Sequence, residues 1–256
     1  MKKLTIKTAL NDGSVSRYRA DLTCLLNLNY LKLTNKTQMT GDYDFPVIYC
    51  NTSVIPDYLA LYGQPCEYHK TPLTGVCFYA FDSTFDGLCG LFNAIYYNVD
   101  FLLEYYRQRF ADVKFIVSPD YSQFGDLQKI ENLIRLWKAR IVTLWFMIEL
   151  RAVAIPSATY ISEETFPLFF SGLEECSVIA FSTKGHVRRA SERRLLKAAV
   201  KYAVDNLKLK TIIVYSVCGK DETSLKLFKY AIERGINVVI PNNSLRERNR
   251  RRCGII

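Results

Sequence analysis

Residues 177–215, SVIAFSTKGHVRRASERRLLKAAVKYAVDNLKLKTIIVY, decide the fold. They open on an apolar, β-branched run at 177–181 and close on another at 211–215. Both runs are short and continuous, without the alternation of a half-exposed strand, as suits strands buried on both faces. Between them Leu195, Leu196, Ala199, Val200, Ala203, Val204 and Leu207 recur at spacings of three and four, which is one apolar stripe on a helix. Strand, helix and strand in this order make a parallel pair, because parallel neighbours need a crossover of about this length.

The same alternation extends outward. Further strands are expected at 76–81, 113–117, 152–155 and 237–240. Leu127, Ile130, Ile134, Trp137, Ile141, Leu144, Trp145 and Ile148 predict a second helix. Leu225, Phe228, Ala231 and Ile232 predict a third, stopped by Gly235. The class is α/β, with a mainly parallel sheet of six strands, or seven if residues 47–50 form one, flanked by helices. That number falls short of the eight in a closed (β/α) barrel, so an open Rossmann-like sheet is favoured over a barrel. Periodicity is weak through residue 75, with turn-rich clusters such as NDGS and TGDYDFP. The expected organisation is an irregular N-terminal extension at 1–45, an α/β domain at 46–241 and a basic C-terminal tail at 242–256.

The chain has 256 residues, 49% apolar and 23% charged, enough to bury a sizeable core without disulfide or metal staples. Its eight cysteines are scattered without a C-x-x-C pair and there are two histidines, which argues against a structural zinc site. The start, MKKLTIKTALNDGSV, is interrupted by Lys7 and Asp12 where a signal peptide needs an apolar run. Residues 141–155 carry Glu149 and Arg151 and fall short of the ~20 apolar residues of a membrane span. Free thiols with neither feature point to the cytoplasm. The ending Cys253-Gly254-Ile255-Ile256 follows a polybasic run and loosely imitates a prenylation box, in which Gly254 fits poorly.

The formal net charge of +9 is unevenly placed. Residues 1–183 hold 16 Lys/Arg against 19 Asp/Glu, whereas residues 184–256 hold 18 against 6. Such asymmetry is the signature of a surface that meets a polyanion. The candidate nucleic-acid contacts are Arg188, Arg189, Arg193, Arg194, Lys197 and Lys201 on the basic helix, with Arg248, Arg250, Arg251 and Arg252 on the tail. Contacts of this kind give affinity without sequence specificity.

Ligands in parallel sheets gather where strands end and helices begin. Just past the expected strands lie Asp82 and Asp86, then Ser118, Asp120, Tyr121 and Ser122, then Ser182, Thr183, Lys184 and Gly185. Asp82, Asp86 and Asp120 are the candidate catalytic carboxylates, able to hold Mg²⁺ or to divide into acid and base. The same residue types also serve as helix caps and turns. Arg140 falls on the flank of an apolar stripe, where a guanidinium needs an anion such as Asp120 or a bound ligand, or must snorkel to water. No G-x-G-x-x-G occurs, and Cys218-Gly219-Lys220-Asp221 lacks the frame of a P-loop.

Phe81-Asp82, Phe85-Asp86, the segment SPDYS at 118–122, Arg140, Ile155-Pro156, Phe170, Gly172, Ser182-Thr183, Gly185 and the segment IIVY at 212–215 occur in an order that resembles an uncharacterised "domain of unknown function" family. The resemblance spans about residues 46–241 and implies a setting in bacteria, their phages or mobile genetic elements. That family usually shows two adjacent aspartates where this chain has Asp82-Ser83, and a tryptophan near Tyr160; only Arg140 remains of its Y-R-N-R-like segment.

Three functions compete. The leading expectation is a phage or mobile-element protein that associates with nucleic acid through its basic helix and tail. The alternative is an enzyme, such as a metal-assisted hydrolase or transferase, acting on a phosphate-containing or polar small molecule through the strand-end carboxylates. The third is a protein-binding inhibitor or adaptor.

Overall fold

The computed structural model describes residues 28–255, so most of the expected extension at 1–45 and the final Ile256 lie outside the described residues. A short helix α1 (Leu31–Thr34) leads into a two-stranded antiparallel hairpin, β1 (Met39–Thr40) and β2 (Phe45–Pro46). Strands β3 (Tyr58–Leu61) and β4 (Thr74–Cys77) follow, then helices α2 (Leu91–Tyr97) and α3 (Asp100–Arg109). Next come β5 (Phe115–Val117), α4 (Lys129–Glu149), β6 (Val153–Ile155) and α5 (Phe166–Phe169). The chain continues through β7 (Val178–Ser182), α6 (Ala190–Asn206), β8 (Thr211–Tyr215), α7 (Asp221–Leu225), α8 (Lys229–Glu233), β9 (Asn237–Val239) and α9 (Ser244–Arg252).

All six strands expected from apolar runs are present, and all pair in parallel. The seventh is β3, not residues 47–50, of which Val47, Ile48 and Cys50 are buried but none lies in a strand. Strand β3 falls in the weakly periodic stretch before residue 75, where its buried run Tyr58, Leu59 and Ala60 is too short to stand out.

The strands do not form a single six- or seven-stranded sheet. They form one sheet in the order β3-β4-β5-β6 and another in the order β7-β8-β9. Tyr58 lies opposite Thr74, Phe115 opposite Val153, and Val178 opposite Thr211. Each order follows the chain without the reversal that marks a doubly wound sheet. Isolated parallel bridges join the two sheets at both edges, Ser157 with Ala180 and Tyr58 with Asn242. At the first seam Ala158 N–H donates to the Ala180 carbonyl and Ala180 N–H to that of Pro156, both at 2.8 Å. At the second, Leu59 N–H donates to the Asn242 carbonyl at 2.8 Å and Asn242 N–H to that of Asp57 at 2.9 Å. The seven parallel strands therefore succeed one another around a ring, which departs from the expected open arrangement. An open sheet and a ring share the same strand–helix pattern, and only β3 and the return of residue 242 to it distinguish them.

One apolar core runs through both sheets, from Leu59, Val76 and Ile116 to Ile179, Ile213 and Val214. Gly75 is closely packed within it: a Cβ there would meet Leu59 and Phe115 side-chain carbons at 3.2 Å. A smaller cluster, Phe45, Leu133, Leu136 and Phe169, fixes the N-terminal hairpin against α4 and α5. That contact explains a shift in the buried face of α4. Ile130 and Ile134, expected in its core stripe, are exposed, while Leu133 and Leu136 are buried.

The third expected helix is divided into α7 and α8, ending as expected near Gly235, whose φ of +77° suits the left-handed residue after a helix. The expected basic tail is mostly helix α9, packed onto the body. Asn243 caps it by accepting from Arg246 N–H at 2.9 Å, while the Asn243 amide donates to the Ser216 carbonyl at the same distance. No helix among the described residues is long and apolar enough to cross a membrane.

Candidate functional site

Four consecutive strands, β4 to β7, end around one cavity of about 320 Å³. Tyr79 and Phe81 arrive from beyond β4, Asp120, Tyr121, Ser122 and Phe124 from beyond β5, Thr159 and Tyr160 from beyond β6, and Ser182, Lys184, Gly185 and His186 from β7 and its loop. The ring places these side chains together because every parallel strand delivers its C-terminal end to the same face.

Asp120 is the chemically distinctive group. It remains partly accessible, yet it is surrounded by enough protein that desolvation raises its carboxyl from the usual carboxylate range to about 7. The charge of Asp82 pushes in the same direction and that of Lys184 opposes it. Lys184 Nζ donates to the Tyr79 carbonyl at 2.6 Å and lies 5.9 Å from the centre of the Phe81 ring. Tyr79 is buried, its hydroxyl 3.1 Å from Ser157 Oγ. Burial also holds the neighbouring His186 below its ordinary value, against the opposing charge of Glu192. Its ring lies 5.3 Å from that of Tyr160.

Asp82 and Asp86 do not line this cavity. Asp82 accepts from Ser122 N–H at 3.1 Å and Ser122 Oγ at 3.0 Å, and pairs with Arg135 at 2.5 Å. It thereby pins the loop that carries Asp120. Asp86 pairs with Lys138 at 2.7 Å. Both cations come from α4, so two of the three expected catalytic carboxylates tie strand-end loops to a helix. Among the described residues no group of three or more His, Cys, Asp or Glu is placed to hold a metal ion. Asp82, Asp86 and Asp120, able in principle to hold Mg²⁺, are thus not gathered as one ligand set among the described residues.

The other expected ligand-binding residues divide in two. Tyr121, Ser122, Ser182, Lys184 and Gly185 border the cavity, with Gly185 at φ +85°. Ser118, Thr183 and Arg140 face the interior. Ser118 Oγ donates to the Ile155 carbonyl and bonds Thr143 Oγ1, and Thr183 Oγ1 accepts from Val217 N–H. Arg140 meets neither Asp120 nor water: its Nη2 donates to the carbonyls of Phe169 and Ser171, each at 3.2 Å. Burial lowers this guanidinium to about 10, which leaves it charged at neutral pH.

Tyr79, Phe81, Phe124, Tyr160 and His186 also line the cavity and were not among the expected ligand-binding residues, which were mainly charged and hydroxyl groups. Their signal was position, since all lie in the segments immediately after strands.

The basic candidates are spread over α6, the turn before it and α9. Arg188, Arg189, Arg193, Arg194 and Lys197 are exposed, and Arg193 Nη1 donates to the carbonyls of Val187 and Arg188 at 2.7 and 3.0 Å. Lys201 is paired with Asp205. On α9, Arg248, Arg251 and Arg252 are exposed, while Arg250 lies 3.9 Å from Asp221. Arg246, which was not a candidate, is buried and pairs with Asp221 at 2.6 Å.

These features define an α/β protein of parallel strands and flanking helices with a ligand-sized cavity at the strand ends. The chain belongs to the family described as "Domain of unknown function (DUF4417)", which it matches over residues 37–239. No curated protein and no solved structure matches it.

Proposed function

We propose that this protein binds a small polar or phosphate-containing ligand in the cavity around Asp120 and exchanges a proton with it. The observation that carries this reading is a carboxyl raised to about 7 that opens onto a cavity and takes no hydrogen bond from the described residues. A general acid–base works best when its pKa lies near the working pH. A carboxyl desolvated by its surroundings, open to a cavity and without a protein donor, is placed to take its missing partner from a ligand. Lys184 supplies the positive charge for an anionic part of the ligand, and Ser122 and Ser182 supply hydroxyls.

The test is a thermal-shift panel of phosphorylated metabolites at pH 6 and pH 8, with Asp120→Asn and Lys184→Met as controls. At least one compound should stabilise the wild type, with the gain lost in Lys184→Met and its pH dependence lost in Asp120→Asn. Compounds that stabilise all three chains equally, at both pH values, would remove the reading.

A further inference from the structure

Two large aromatic side chains border the Asp120 cavity while standing in solvent: Phe81 is 80% exposed and Phe124 is 52% exposed. Tyr160 and His186 present a paired aromatic surface on the same cavity. Exposed single rings are ordinary on a protein surface, but four aromatic groups around one cavity are a ready platform for a planar ring. The volume of about 320 Å³ lies at the small end of ligand sites and suits one base with its sugar. On the wall of the cavity, Asp120 can offer a donor and an acceptor side by side when protonated, the complement of an amino-substituted ring nitrogen.

The chain leaving His186 runs directly into Arg188 and Arg189 and then into α6, which carries Arg193 and Arg194 near its start. Arg193 folds over the loop carbonyls of Val187 and Arg188, which places its charge against the segment that joins cavity to helix. Cations in this number are matched by phosphate.

We propose that the cavity takes one nucleotide, its base against Phe81, Phe124, Tyr160 and His186 with an edge facing Asp120, and its phosphate on Lys184 and the Arg188–Arg193 side of the rim. The proposal rests on the reading of the Asp120 cavity as the ligand site. The nucleotide is either free or part of a single strand, the chemistry at the site being the same.

Fluorescence anisotropy with fluorescein-labelled ten-nucleotide single strands, and equilibrium dialysis with the four ribonucleoside monophosphates, test it on the full chain. The Phe81→Ala/Phe124→Ala double variant should weaken binding roughly 10-fold or more, the size expected from lost base stacking. Arg188→Ala/Arg193→Ala should weaken it and flatten its salt dependence. Affinity that rises with strand length assigns the site to a polymer, and equal affinity for the monophosphates assigns it to a free nucleotide. Failure of every nucleotide to bind at millimolar concentration, or binding indifferent to the aromatic variant, overturns the proposal. Carboxyl ¹³C NMR of Asp120 separates the two levels. If Asp120 titrates near neutrality and responds to small phosphorylated compounds but to no nucleotide, only the nucleotide assignment falls. If Asp120 titrates in the usual carboxylate range and Asp120→Asn alters no binding, the underlying reading falls with it.

Discussion

The Asp120 carboxyl keeps its proton to about pH 7 in the folded chain, whereas unfolding returns it to the usual carboxylate range near 4. Between those values the folded state holds the extra proton, so this residue makes stability fall as pH rises from about 4 to 7. Above pH 7 the whole penalty is present. At about 1.4 kcal/mol per unit, and less where cavity water screens the charge, it comes to about 2–4 kcal/mol. Asp120→Asn, which cannot ionise, should therefore be more stable than the wild type by that amount at pH 8 and no different at pH 4. Urea unfolding at the two values checks this, and a constant difference across the range would assign the effect to packing. Asp82 supplies a second test, because its charge is one cause of the raised value. Asp82→Asn should lower the Asp120 pKa, read by carboxyl ¹³C NMR. It should also cost about 1–3 kcal/mol, since Arg135 and Ser122 lose a charged acceptor.

Helix α9 shows why a run of arginines does not read as an element from its charges alone. Its apolar content is slight, and what holds it is polar: the Asn243 cap, Asn249 Nδ2 donating to the Val217 carbonyl at 2.6 Å, and buried Arg246 on Asp221. Arg246→Ala should cost about 1–3 kcal/mol, because the carbonyls of Ile240 and Pro241 and the Asp221 carboxylate lose their donor. Arg251→Ala/Arg252→Ala should leave stability within about 0.5 kcal/mol of the wild type, as expected of exposed charges. Thermal or urea unfolding of the two variants measures the contrast, and equal losses would refute the assignment. The same distinction sets what was legible in the sequence. Strands β4 to β9 and helices α4 and α6 were readable because their apolar periods are strong and local. Asp120 and Lys184 were readable as strand-end residues. The pairing of Asp82 with Arg135 and of Asp86 with Lys138 was not, because each joins residues more than fifty positions apart. Nor was the Arg140 setting, where the acceptors are backbone carbonyls that carry no side-chain signature.

At the scale of the whole molecule, the two sheets would each present bare strand edges if they stood apart. Unpaired edges expose a row of N–H and C=O groups and invite pairing with other chains. The bridges at Tyr58–Asn242 and Ser157–Ala180 meet those edges within the chain itself and bring the outer strands of both sheets into one ring. The Ser157–Ala180 seam also bears on the site, since residues 158–160 on one side of it and Ser182, Lys184, Gly185 and His186 on the other form walls of the Asp120 cavity. The arrangement makes a distinctive demand on hydrogen exchange. Amides at a free sheet edge exchange through small local openings, whereas amides that close a ring open only with a larger unit. Ala158, Ala180, Leu59 and Asn242 should thus exchange as slowly as the strand amides beside them. A chain ending at Pro241 removes the acceptor of Leu59 and the whole of α9. In that chain Leu59 should lose at least tenfold in protection, while Ala158 and Ala180 keep theirs, because the two seams lie on opposite edges of the sheets. Exchange at all four positions as fast as in an exposed loop, in the intact chain, would mean that the sheets meet through side-chain packing alone and that the cavity wall between β6 and β7 is free to part.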